Sequence, residues 1–159
     1  MMGPASRVQA FEQGMIMMAT LDVLGEKLTI MARPADGRAG ATVIEDVTPP
    51  GGGPPLHVHH HTDEIFYVVE GTMRMWRGDE TFEAGPGTLV LLPKSVPHTF
   101  QNIGTVPSRM VVTILPGGFE RFFEEVSARG LAAPKDLPAL QELAREYAVE
   151  ILGPPPGAS

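Results

Sequence analysis

The chain has 159 residues, of which 43% are hydrophobic and 19% charged, so it can build a packed core and suits one domain. With 12 basic and 19 acidic side chains the net charge is −7, and no concentration of Lys and Arg offers a nucleic-acid surface. There is no Cys, which excludes disulfides, thiolate zinc sites, iron–sulfur clusters and Cys nucleophiles. No apolar run reaches the ~18–20 residues of a membrane span.

Residues 1–13 read as a loose N-terminal arm. The apolar stretch Met15 to Leu21 reads as a strand and not a secretion signal, because Arg7 is the only base before it and Glu12 interrupts the approach. A cytoplasmic protein is expected. From there to residue 116 the chain predicts short β segments at 15–21, 27–32, 41–47, 56–61, 64–70, 72–77, 79–83, 87–92, 98–103 and 108–115. Gly and Pro clusters separate most of them. Short strands without intervening helices indicate an all-β antiparallel sandwich or barrel over 14–116.

The period changes after Gly118. Phe119, Phe122, Phe123 and Val126 fall at helical spacing and make one apolar stripe that ends at Gly130. A second helix is predicted with Asp136 as N-cap, Pro138 in the first turn, and Leu140, Leu143, Ala144, Tyr147 and Ile151 as its apolar positions. Both are expected within 117–152 as short helices packed on the barrel or at a subunit contact, with no composition of a cofactor site. Residues 153–159 read as an irregular tail.

All five histidines lie at two places, His57, His59, His60 and His61, and then His98. On a strand, the spacing of His57 and His59 puts both imidazoles on one face. Glu64 follows, and a change of register through Thr62 and Asp63 turns it to the same interior. His98 lies on a later strand. Three imidazoles and a carboxylate converging from two strands make a ligand set for one divalent transition metal ion, with Mn, Fe, Co, Ni, Cu and Zn all eligible. The alternative is a metal-free hydrogen-bond network, which is costly to bury unless every group is paired. His60 and His61 read as exposed residues where the strand ends. His61 shares the parity of His57 and His59, so a competing ligand is its other reading.

These residues resemble the cupin superfamily. Gly51, five residues, His57-Val58-His59, four residues, Glu64, six residues and Gly71 follow the first cupin motif. Gly87, five residues, Pro93, one residue, Ser95, two residues, His98, three residues and Asn102 follow the second, with Ser95 where Gly is usual. Fifteen residues separate the two. The remaining strands and the segment Pro116-Gly117-Gly118-Phe119-Glu120 also resemble small single-domain cupins of the quercetin-dioxygenase-like kind. The resemblance implies a double-stranded β-helix, or jelly-roll barrel, with short C-terminal helices. It implies His57, His59, Glu64 and His98 as metal ligands. It also implies that Glu64 accepts a substrate proton.

If Glu64 points inward, Phe66 and Val68 do too, while Ile65, Tyr67 and Val69 point out. Both faces of that strand are apolar, so a homodimer is expected to cover the outer one. Phe66, Met75 and Phe100 are the expected apolar wall of a substrate pocket. Lys94 and Arg109 are the nearest candidates for an anion clamp, and the Gly51-Gly52-Gly53 run reads as a flexible approach to the metal strand rather than a phosphate loop. The expected function is a dioxygenase acting on a small, largely apolar aromatic or enol-type substrate bound at the metal. The alternatives are a redox-neutral isomerase, decarboxylase or lyase, and a non-catalytic metal-stabilised binding barrel.

Overall fold

The computed structural model describes residues 20–35 and 40–157. The expected arm and most of the 15–21 strand lie outside the described residues. The strands are β1 (Thr20–Val23), β2 (Glu26–Ala32), β3 (Thr42–Thr48), β4 (Leu56–His59), β5 (Asp63–Glu70), β6 (Met73–Arg77), β7 (Glu80–Ala84), β8 (Leu89–Leu92), β9 (His98–Asn102), β10 (Ser108–Leu115) and β11 (Val149–Gly153). Two helices, α1 (Glu120–Arg129) and α2 (Leu137–Glu146), stand between β10 and β11.

The strands form two antiparallel sheets. One runs β1-β2-β3-β10-β5-β8 and the other β11-β4-β9-β6-β7. This is the double-stranded β-helix. The alternation in β10 shows why the sheets close on each other: Ser108, Met110, Val112 and Ile114 are buried, and the residues between them are not. Ile44, Val68, Met73, Met75, Leu92 and Met110 complete the packed interior between the sheets.

The first expected helix is present, and its apolar stripe ends at Gly130, which takes the left-handed conformation with φ 61°. Buried Glu120 ties its start to the barrel by accepting from Thr42 Oγ1 at 2.5 Å and from the Gly118 amide at 2.8 Å. The second helix is shorter than expected. It stops at Glu146, and Asp136 accepts from the Ala132 amide at 3.0 Å instead of capping the helix with its side chain. Ala148 then takes φ 56° and the chain turns into β11. Ile151, expected on the helix, therefore lies on a strand. Val149 and Ile151 are bracketed by Glu150 and Leu152, a period of two that finds a partner in β4, with Val149 opposite His59 and Ile151 opposite His57.

The triple-glycine run is not a loose approach. The Gly51 amide donates to Asn102 carbonyl at 2.8 Å, and Asn102 returns a bond to Gly52 carbonyl at 2.9 Å. A Cβ on Gly53 would lie 2.0 Å from the Phe100 carbonyl oxygen, so the residue is a glycine because β9 passes against it.

On the outer side of the six-stranded sheet, Tyr67 is 44% exposed, Leu89 57% and Leu91 53%. Tyr67 lies opposite Leu89, and Ile65 opposite Leu91. The helices do not cover them, since α1 packs on β1 and α2 on β11.

Ser95 sits in the turn before His98 with φ 65°, the left-handed region. An L side chain there costs ~1–2 kcal/mol, of which about half is offset by the greater unfolded-state freedom of a glycine. Ser95→Gly is expected to stabilise the protein by about 0.5–1 kcal/mol, seen as a higher urea midpoint at unchanged slope. An unchanged or lower midpoint contradicts this account of the turn.

Candidate metal centre and cavity

β4 and β9 are adjacent antiparallel strands, and their register sets His57 directly opposite His98. β5 belongs to the other sheet and brings Glu64 in from across the barrel. One ligand atom from each of His57, His59, Glu64 and His98 lies within 4.8 Å of all the others. His59, Glu64 and His98 are buried, and His57 keeps part of its surface. The imidazole planes of His59 and His98 are parallel to within 5°, with centroids 5.7 Å apart, while His57 stands across both.

The outer nitrogen of each ring is fixed by a bond to its own chain segment. His57 Nδ1 donates to Pro55 carbonyl at 2.8 Å, and His98 Nδ1 donates to Val96 carbonyl at 3.1 Å. His59 Nδ1 bonds Thr62 Oγ1 at 3.0 Å. A carbonyl can only accept, so both Nδ1 atoms of His57 and His98 carry the proton and a neutral ring keeps its lone pair on Nε2. Yet His98 Nε2 stands 2.7 Å from Glu64 Oε2, and buried His59 Nε2 stands 3.5 Å from the same oxygen with no hydrogen-bond partner. Two acceptors at 2.7 Å repel unless a positive charge, an extra proton or a cation, lies between them. The donor set therefore fits a single divalent metal ion, whose ligands would be the three imidazoles and Glu64.

The electrostatics of His57, His59 and Glu64 favour their deprotonated forms. Burial, with the charges of His98 and His59, pushes His57 down to about 3. His59 is also lowered, chiefly by burial. Burial acts to raise Glu64, but the charge of His59 and the adjacent His98 outweigh it and bring the group to about 2. A neutral imidazole and an ionised carboxylate are the forms that bind a metal.

His57, His59 and Glu64 line a cavity of about 80 Å³. Phe66 and Phe100 line it, 5.6 Å apart edge to face. Met75 does not line it, being a core residue with no exposed surface. Helix α1 supplies a wall that its composition did not suggest: Phe119, Phe122 and Phe123 all line the cavity, and the Phe119 ring lies 4.7 Å from that of His59. Their helical stripe was visible in the sequence, but nothing in it indicated which end of the barrel it closes. Among the described residues, no Lys or Arg lines the cavity. Arg109 is held outside by Glu70 at 2.6 Å and Glu45 at 3.7 Å, and Lys94 is exposed. His60 and His61 are exposed and take no part.

Sequence reasoning also missed two acidic lining residues, Glu26 and Asp46. Both are buried, at 6% and 5% exposure. Burial raises Glu26 well above the carboxylate range, and the nearby Asp46 charge adds to this. Burial pushes Asp46 up to about 7, against a hydrogen bond from Thr48 and with a further push from the charge of Glu64. The signal was available in parity, since Asp46 shares a face with Ile44.

Residues 45–114 match the family described as "Cupin domain". The chain carries a cupin domain. The match spans both histidine motifs and the strands that carry them. Quercetin 2,3-dioxygenase of Bacillus subtilis is 31% identical over 81 residues, which are 51% of this chain and 24% of that protein. Uncharacterized protein MJ1618 of Methanocaldococcus jannaschii is 33% identical over 75 residues, 47% of this chain and 60% of that protein. The chain thus spans less than two thirds of either relative. Among solved structures, KdgF from Halomonas sp. superposes with a TM-score of 0.58 at 21% identity, covering 65% of this chain and 92% of that one. An RmlC-like cupin from Shewanella frigidimarina gives 0.57 at 16% identity, covering 66% and 89%. These two likenesses concern the barrel alone.

Thr62 holds the ring of His59 from outside the ligand set. Partners of this kind carry ~10–100-fold in metal affinity. Thr62→Val is expected to weaken divalent-metal binding by about that factor with little change in fold, measured by competition with a chromogenic chelator. Unchanged affinity shows that the turn alone orients His59.

Proposed function

We propose that this cupin is a metal-dependent dioxygenase acting on a small, largely apolar aromatic or enol-type substrate. The observation that carries the reading is that His57, His59 and Glu64 of the four-residue centre border a cavity lined by phenylalanines and free of lysine and arginine among the described residues. A cavity without cationic side chains is ill suited to a phosphorylated sugar or a nucleotide. It suits a flat, uncharged molecule that buries its ring. The relative named as quercetin 2,3-dioxygenase supports the same choice.

A divalent ion held by the four ligands would supply a Lewis acid for a substrate oxygen and a route for electrons to dioxygen. The chain's own residues do the rest. Glu64 is ionised and brought into the cavity by β5, so it is poised to accept the proton of a substrate hydroxyl. Phe66, Phe100 and Phe119 fix the plane of the ring and keep bulk water from the reacting atoms. The same carboxylate would serve an isomerase, decarboxylase or lyase, which would turn over without consuming oxygen.

Elemental analysis of the purified protein, followed by oxygen uptake against flavonols, catechols and β-diketones, separates these readings. Uptake that falls to background in His98→Ala is expected. Glu64→Asp is expected to retain metal but lose about 10²–10⁴ in turnover, because the carboxylate is withdrawn by one methylene from the proton it accepts. Anaerobic turnover of any of these compounds by the zinc form contradicts the dioxygenase assignment.

We also propose that a second copy of the chain covers Ile65, Tyr67, Leu89 and Leu91. These residues form a contiguous apolar face beside the edge strand β8, which neither helix reaches. A dimer is expected in light scattering, and Leu91→Glu is expected to shift it to monomer. A monomeric native protein rules this out.

A further inference from the structure

The cavity has a second polar element besides the metal centre. β2 turns Glu26, Leu28 and Ile30 inward, and β3 turns Thr42, Ile44, Asp46 and Thr48 inward. Asp46 lies opposite Leu28 in the register, which places Glu26 on the same face one pair further along. Glu26 and Asp46 both line the cavity among Val23, Leu28 and Ile44. Thr48 Oγ1 donates to Asp46 Oδ1 at 2.8 Å. Glu26 Oε1 is buried and has no hydrogen-bond partner. A buried, unpaired carboxyl oxygen beside an apolar cavity is unfavourable for folding, and an apolar residue would suit the position better.

We propose that Glu26 and Asp46 form a recognition subsite that binds a hydroxyl group of the substrate at a point on the ring away from the metal-binding oxygens. The inference rests on reading the cavity as the substrate chamber. It narrows the substrate class from any flat apolar molecule to one with a further hydroxyl. Glu26 Oε1 accepts the hydroxyl proton, and a carboxyl held protonated by burial donates to the hydroxyl oxygen. The raised pKa values of both acids agree with a pair that keeps a proton near neutral pH. A neutral pair also suits a neutral ligand, whereas an ammonium group would require one of the acids to ionise. A pocket built to satisfy a hydroxyl discriminates strongly against the analogue lacking it, because its own polar groups are then left unpaired.

The test compares catechol with 1,2,4-trihydroxybenzene, titrated calorimetrically under nitrogen into the zinc-loaded full chain. The native protein is expected to prefer the triol by tenfold or more. In Glu26→Met that preference is expected to vanish while catechol affinity is kept. The same substitution separates recognition from a structural role. A carboxyl retained for a ligand is replaced by an apolar side chain with a gain, so the melting temperature of Glu26→Met is expected to rise by a few degrees. Asp46→Asn, which keeps the shape, is expected to lower the preference for the triol without unfolding the protein. Equal binding of both probes by the native chain, or a melting temperature lowered in Glu26→Met, overturns the subsite and leaves the chamber in place. Failure of both probes to bind overturns the subsite together with the reading of the chamber.

Discussion

Two acceptors face each other at 2.7 Å in the middle of this barrel. His98 Nε2 and Glu64 Oε2 come from different sheets, and the proton of His98 is committed on the far side of its ring to Val96 carbonyl. His57 is committed in the same way to Pro55. Packing that holds these atoms together works against electrostatics unless a positive charge sits between them. The barrel thus carries a local conflict that a cation resolves, and such conflicts mark functional sites more than structural ones. A bound ion would add its binding free energy to folding, so the two sheets are joined at the point where hydrophobic packing alone serves them least.

Several features far apart in the chain serve that one contact. The Ser95 amide donates to His59 carbonyl at 2.7 Å, and the Lys94 amide donates to Asp63 Oδ1 at 2.8 Å. These bonds tie the turn before His98 to the end of β4 and the start of β5, so one short loop fixes the relative position of ligands from both motifs. β11 pairs with β4 on its other side. β4, only four residues long, is therefore held by a neighbour on each edge. A ligand strand free on one edge would leave the imidazoles to move with it. The C-terminal segment thus contributes twice, through the strand that braces His57 and His59 and through the phenylalanines of α1 over the cavity.

The barrel and the convergence of His57, His59, Glu64 and His98 were legible in the sequence because each rests on local information. Gly and Pro punctuate the strands, and histidines two apart must share a face once the segment is extended. What escaped depended on partners. Ile151 fits a helix after Tyr147 as well as it fits a strand, and only pairing with His57 decides between the two. The predicted β2 began at residue 27 and so excluded Glu26, whose inward direction follows only when the strand is extended by one. Asp46 sits at a position of inward parity but is the residue type least expected there, so composition argued against what period allowed. The triple glycine gave the same kind of difficulty. Its composition suggests freedom, and its role is steric, set by β9, which carries the end of the second motif.

The polar groups of the cavity are unevenly distributed, and the unevenness is itself informative. Its walls are aliphatic and aromatic, and its ionisable groups fall into two sets, the metal centre on β4, β5 and β9 and the carboxyl pair on β2 and β3. Each set contains a buried atom that the protein does not satisfy, His59 Nε2 in one and Glu26 Oε1 in the other. Other buried polar side chains of the barrel, such as Thr42, Thr99, Asn102 and Glu120, are hydrogen-bonded, so an unsatisfied group of either kind is retained at a cost to stability. Both open valences border the same small space. On the proposed function, an occupant that reaches both sets would be held at two points and by the planes of the surrounding rings, and a fixed orientation is what Glu64, acting as a base, would require to select one proton among several.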